Sequence, residues 1–134
     1  AERGEGFCSE ADWLRAYTEI NDFEHEPHGD GEIVIKFWLQ ISDKEQLRRF
    51  KEREYIEFKR FKITAEDWRN REKSADYHAA VCDMVDRTST STAPWTLVEA
   101  NDKSFARVKI LRTICERIEN ALNLEKPQEK AKEK

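Results

Sequence analysis

Ile33-Val34-Ile35-Lys36-Phe37-Trp38-Leu39-Gln40-Ile41 is an almost unbroken run of apolar, β-branched and aromatic side chains. Without polar alternation, such a run reads as a strand buried on both faces, the kind found in parallel α/β sheets. Ser42-Asp43-Lys44-Glu45 follows directly with capping-box spacing, so a helix begins where the strand ends and runs to about 53. Strand followed at once by helix predicts an α/β fold. The rest of the chain offers one further strand, 95–98 (Trp-Thr-Leu-Val), entered from Pro94 where a missing amide does little harm.

Working outward, Ser9-Glu10-Ala11-Asp12 is another capping box, and Trp13, Leu14, Tyr17 and Ile20 recur at helical spacing, which predicts a helix over 10–23. The stretch 24–31 (EHEPHGDG) holds a proline and two glycines and reads as a surface turn. Thr64-Ala65-Glu66-Asp67 starts a helix expected to run to 87, with Tyr77, Val81 and Met84 on one face. Residues 88–92 (TSTST) form a loop. Asn101 or Asp102 caps a last helix whose stripe Val108, Leu111, Cys115, Ile118 and Leu122 is the expected core face. From 125 onward the chain has nothing to bury and is expected to be disordered. Two strands are too few for a sheet that typically has about five or six, so part of the architecture is expected outside these 134 residues. The start Ala1-Glu2-Arg3, without methionine, suggests a processed, excised or engineered beginning.

No run approaches the ~18 apolar residues of a spanning helix, and no apolar signal segment opens the chain. A cytoplasmic protein with no membrane partner is expected. Cys8, Cys82 and Cys115 are odd in number and lack CxxC spacing, which fits free thiols in a reducing compartment. His25-x-x-His28 lies in the predicted turn with nothing to orient its rings, so no metal site is assigned. Between 48 and 73 there are ten lysines and arginines against six acids, a basic island in a chain of net charge −4. Such an island favours a local anionic partner. The acidic whole, and an expected lack of exposed aromatic platforms, argue against nucleic acid. Trp38 and Trp68 are read as core residues.

Several blocks occur in order: Lys36-Phe37-Trp38-Leu39-Gln40-Ile41-Ser42, Glu45-Gln46-Leu47-Arg48-Arg49-Phe50, Phe58-Lys59-Arg60-Phe61-Lys62, Glu66-Asp67-Trp68-Arg69-Asn70-Arg71, Arg87-Thr88-Ser89-Thr90, Ala93-Pro94-Trp95, and Asn101-Asp102-Lys103 with Ala106-Arg107. Together they resemble the C-terminal, lid-containing part of the type-2 polyphosphate kinase family. Gly6-Phe7-Cys8-Ser9-Glu10-Ala11-Asp12-Trp13 points to its polyphosphate:AMP phosphotransferase branch. The resemblance covers 5–118, and the domain is drawn over 1–124 with a lid at about 54–92. It implies a partial P-loop-kinase (thymidylate-kinase-like) α/β fold, mostly helical with about two parallel strands. Glycine occurs only at 4, 6, 29 and 31, none before lysine, so the GxxxxGK phosphate cradle is not in this stretch. Nor is a Walker B strand, which the resemblance places upstream. Gly4 and Ser74 depart from the family's usual apolar residue and Trp.

The resemblance further implies a part of a polyphosphate-dependent nucleotide phosphotransferase, with polyphosphate as donor, AMP or ADP as acceptor, and Mg2+ in the complete enzyme but none bound by this chain alone. Taken alone the chain is expected to be inactive. Phosphoryl transfer needs two anions positioned and the charge on the moving group neutralised. The implied lid contacts are Lys59, Arg60, Lys62, Arg69, Arg71, Lys73 and Arg87. By composition alone the same residues form a solvated face laced with Glu66, Asp67 and Glu72. Asp102 and Lys103 stand where an α/β sheet's carboxyl edge meets a nucleotide, and equally where a helix cap is needed. A non-catalytic module binding polyphosphate or a partner is the alternative. The open edge of the 33–41 strand predicts a homo-oligomer.

Overall fold

A computed structural model describes residue 3 and residues 6–122. Helix α1 spans Glu10–Gly29; the Ser9 hydroxyl accepts from the Asp12 amide while the Asp12 carboxylate accepts from the Ser9 amide, closing the capping box. The helix does not stop at 23, and 24–29 is helical rather than a turn. Glu24 explains the extension: its carboxylate takes the Lys36 ammonium at 2.5 Å, so a tertiary ion pair holds the last turns. Pro27 falls in the final turn, where only one backbone bond is forfeited. Gly31, with φ of 85°, ends the helix. Its amide donates to the His28 carbonyl and the Glu32 amide to the Pro27 carbonyl, the pairing of a Schellman motif.

Strand β1 (Lys36–Gln40) leads into α2 (Asp43–Tyr55), a 3-10 helix (Glu57–Lys62), α3 (Ala65–Glu72), α4 (Ser74–Thr88), β2 (Trp95–Glu99) and α5 (Lys103–Ala121). The strands pair in parallel, Lys36 beside Trp95 through Gln40 beside Glu99. The fold is therefore mostly helical around two parallel strands, as expected. β1 is shorter than 33–41 and not buried on both faces: Leu39 and Gln40 are exposed. The helix expected over 64–87 is two helices broken at Lys73, whose amide turns back to the Arg69 and Arg71 carbonyls. Neither Gly nor Pro marks that break. Tertiary contacts hold the first piece instead, with Trp68 edge-on to Phe50 of α2 at 5.2 Å. The predicted tail from 125 lies outside the described residues.

The core is Val98, Ala100 and Ala106, flanked by Phe37, Ile41 and Ile110. α5 thus lies on the sheet by its 106 and 110 side. The stripe expected to be its core face, Val108, Leu111, Cys115, Ile118 and Leu122, is exposed. Helix α5 carries two apolar faces, and a sheet of two five-residue strands covers only one of them.

Candidate functional site

In a parallel pair both carboxyl ends fall on one edge, and here two loops are stitched across it. The Ser42 amide donates to Asn101 Oδ1 at 2.9 Å, and Asn101 Nδ2 donates to the Ser42 hydroxyl at 3.3 Å. One turn and a half into α2, Arg49 donates to the Ala100 carbonyl at 2.7 Å and the Asn101 carbonyl at 3.0 Å. Glu45 holds that guanidinium at 2.7 Å and takes a two-bond grip from Arg48 at 2.7 and 2.8 Å. Hydrogen bonds from Arg48, then Arg49, lower the Glu45 carboxyl to about 2. Asp102 caps α5, its carboxylate accepting from the Ser104 and Phe105 amides at 2.7 and 3.0 Å, and Lys103 is the first residue of that helix. Capping and a place at the carboxyl edge are both realised by Asp102.

Of the lid cations, Arg71 is brought to this edge. One of its terminal nitrogens donates to the Asp43 carbonyl at 2.8 Å and to Gln46 Oε1 at 2.9 Å, docking α3 on the first turn of α2. Two of the five guanidinium donors are thereby used. Arg69 lies on the same short helix, and Lys73 ends it. Lys59, Arg60 and Lys62 lie at the other end of α2, which at 13 residues and 1.5 Å per residue is about 20 Å long. Arg60 closes back on the Glu54 carbonyl at 2.8 Å. Lys59 and Lys62 each sit 5.6 Å from a ring centroid, of Phe58 and Phe61. Both rings and Tyr55 are largely exposed. The aromatic part of the argument against nucleic acid therefore falls, while the charge part stands. Arg87 is set apart at the end of α4, beside the amino end of the sheet, where its carbonyl accepts from Asn21 at 3.0 Å.

Gln40, Arg49, Asn101 and His78 also belong to the edge. Gln40 could have been found as the last residue of a predicted strand. Asn101 was legible only as a possible cap. Arg49 carried the helix-pair spacing from Glu45 but no sign of its carbonyl contacts, and His78 carried none. Trp38, half-buried, donates its indole N–H to Gln40 Oε1 at 2.9 Å. A cavity of about 410 Å³ opens elsewhere, lined by His28, Ser91, Thr92 and Arg117 among others. It lies on the side of the loop between α4 and β2, away from the strands' carboxyl ends, where α/β sheets meet their ligands.

The family model described as polyphosphate kinase 2 (PPK2) matches residues 1–126. The chain is 64% identical over 125 residues to the polyphosphate:AMP phosphotransferase of Pseudomonas syringae and 65% identical over 125 residues to that of Pseudomonas aeruginosa. Each match covers 93% of this chain and 25% of the relative, so the chain spans about a quarter of their length. An NDP-polyphosphate phosphotransferase of Ruegeria pomeroyi is 35% identical over 109 residues, 81% of this chain and 36% of that protein. The polyphosphate kinase 2 structure of Arthrobacter aurescens superposes with a TM-score of 0.85 at 32% identity, covering 96% of this chain and 45% of that one. One from Pseudomonas aeruginosa reaches a TM-score of 0.87 at 65% identity, covering 93% of this chain and 27% of the other. On a match that runs along nearly its whole length, in sequence and in fold, the chain belongs to the polyphosphate kinase 2 family.

Proposed function

We propose that this chain is the lid-bearing part of a polyphosphate-dependent nucleotide phosphotransferase that moves a phosphoryl group from polyphosphate to AMP. The observation that supports it best is Arg71, a fork-shaped cation docked on the first turn of α2 at the strands' carboxyl edge with donors to spare. A guanidinium grips two phosphate oxygens at once, where an ammonium acts as a point charge. Arg71 is assigned the donor phosphates, with Arg69 and Lys73 beside it. Lys59, Arg60 and Lys62 contact more distant phosphates of the same chain, and Arg87 those at the other end of α4. Lys103 and the Asp102-capped start of α5 face the nucleotide. AMP is preferred to ADP as the acceptor, supported by 64–65% identity to relatives named for AMP against 31% to one named for ADP.

Mg2+, in this reading, neutralises phosphate charge in the complete enzyme. Among the described residues no three His, Cys, Asp or Glu side chains gather into a set that could hold a metal. This chain's own contribution is direct anion contact. In the full-length enzyme, Arg71→Gln is expected to lower kcat/KM for polyphosphate about 10- to 100-fold, the loss of one charged hydrogen-bonding group. The isolated 134-residue chain is expected to form no ADP above background. Robust magnesium-dependent ADP formation by it would sink the reading of a partial enzyme.

Self-association is proposed as well. It is supported by the open edge of β1 and the exposed second face of α5. Light scattering on the purified chain is expected to give a dimer; a sharp monomer at micromolar concentration refutes it.

A further inference from the structure

The carboxyl end of β1 carries a hydrogen-bonded relay that phosphate contact does not use. Trp38 donates to Gln40 Oε1 at 2.9 Å, Gln40 Nε2 donates to the Ile41 carbonyl at 2.9 Å, and the same Nε2 lies 3.2 Å from Nε2 of His78 on α4. Which end of an amide is oxygen is settled by its partners. Two of these partners have only one role, since an indole N–H only donates and a carbonyl only accepts. Turning Gln40 over would set N–H against the indole N–H and oxygen against the Ile41 carbonyl. Its orientation is fixed from both sides. Nε2 of Gln40 therefore offers its second N–H to His78, and His78 Nε2 must answer with a lone pair. That is a neutral imidazole with its proton on Nδ1.

Protonation places hydrogen on both ring nitrogens, and two donors then meet at 3.2 Å. We propose that Gln40 and His78 form a proton-operated latch between the end of β1 and the lid helix α4, closed while His78 is neutral and released when it becomes an imidazolium. Regulation of the lid by this latch rests on the phosphotransferase reading above; the latch itself does not. His78 is a positioning residue, acting through α4.

Other groups near the latch have partners of their own. β1 faces the ring with Gln40. From α3, Asn70 accepts the Tyr77 hydroxyl at 3.1 Å, and Arg71 is turned to Asp43 and Gln46. Ahead of α1, Arg3 pairs with Asp83, five residues further along α4. On α4 itself the titratable side chains nearest in sequence are Tyr77, whose hydroxyl goes to Asn70, then Asp76 and Cys82, with Lys73 at the helix start.

The test is nitrogen-15 NMR on the 134-residue chain between pH 8 and pH 5, the span over which imidazoles change charge. The expected result is an Nδ1–H tautomer for His78 at the upper end. As pH falls, amide exchange in the first turns of α4 and at the Trp38 indole should rise about 2- to 10-fold, the loss of one net hydrogen bond. His78→Gln presents a carbonyl at the same reach and takes no proton, so it should hold the latch closed throughout. Gln40→Glu should reverse the sign, because a carboxylate accepts from the imidazolium. An Nε2–H tautomer in the unaltered chain, or an exchange response that survives in His78→Gln, overturns the latch. Tripolyphosphate binding followed on the same samples separates the two ideas. If no form binds it while the tautomer and exchange behave as stated, the latch stands and the phosphotransferase reading falls. If all forms bind it with one common pH response, the reverse holds.

Discussion

At the amino end of the strand pair, the Lys36 ammonium is 8% exposed and fully engaged: Glu24 and the Thr88 carbonyl each accept from it at 2.5 Å, and the Trp95 ring lies 5.1 Å away. At the carboxyl end the charge reaches water through Arg48. Arg48 is 60% exposed, and the bonds between Ser42 and Asn101 lie at the surface. The same two strands are closed at one end by a desolvated charge and left wet and polar at the other. A buried pair is costly to break and can do nothing else. Exposed bonds are cheap to exchange, which suits the end where an anion must enter and leave.

The difference can be broken outright at the closed end. Glu24→Ala leaves Lys36 buried with one carbonyl, and the expected loss is about 3–5 kcal/mol by urea denaturation. Replacing both members with apolar residues, Lys36→Met with Glu24→Leu, should restore most of it. If the single and double variants are equally weakened, the pair is not what closes that end.

This closed end is also where the sequence was least readable. The caps at Ser9, Ser42, Thr64 and Asp102 were legible because a cap is a local event, decided within four residues. The end of α1 was not, because Glu24 is held helical by a lysine beyond the Pro-Gly stretch. A proline and two glycines argued for a turn, and one tertiary ion pair outweighed them. The core face of α5 was misread for a related reason: Val108, Leu111 and Ile118 have the right spacing for burial, but spacing cannot say how wide a sheet is available. Of the candidate site, the cations were visible in composition. Their separation into Arg71 at the edge, Lys59 to Lys62 on the 3-10 helix beyond the far end of α2, and Arg87 at the opposite end was not, since it depends on the break at Lys73 and the direction each helix runs.

At the open end the effects shrink. Arg49 is well enclosed there, at 17% exposed beside Glu45 at 16%, and ties α2 to the loop after β2. Arg49→Met is expected to cost about 1.5–3 kcal/mol, as for bonds made by a charged donor. Asn101→Ala removes two exposed bonds to Ser42 and is expected to cost about 0.5–1.5 kcal/mol in the same assay. A loss at Arg49 as large as that at Glu24 would erase the contrast between the ends.

The smallest effect is in acid. Glu45, lowered from 4.5 to about 2 chiefly by Arg48 and then Arg49, is charged in the fold at pH values where the unfolded chain binds a proton. Its contribution is complete above the ordinary carboxylate value and is lost as pH falls from about 4.5 toward 2. A pH series of urea midpoints should decline over that window, and Arg48→Gln should flatten the decline without moving the midpoint near neutrality. An unchanged acid limb in that variant would mean the carboxylate draws its support from elsewhere.

Lys36 and Trp95 stand side by side in the sheet, yet everything called the lid lies between the strands that bear them. That order has a kinetic consequence. The pair cannot close until the intervening segment has left the ribosome and turned back, so sheet formation waits on the slowest piece of the chain to arrive. Once closed, it is nearly indifferent to the length of what it encloses, because doubling a flexible loop adds only about 0.6 kcal/mol to the entropy of closure. Segments of very different size could be carried between β1 and β2 without the strands losing one another, which makes this stretch of the chain free to vary over evolutionary time while the sheet it interrupts is not.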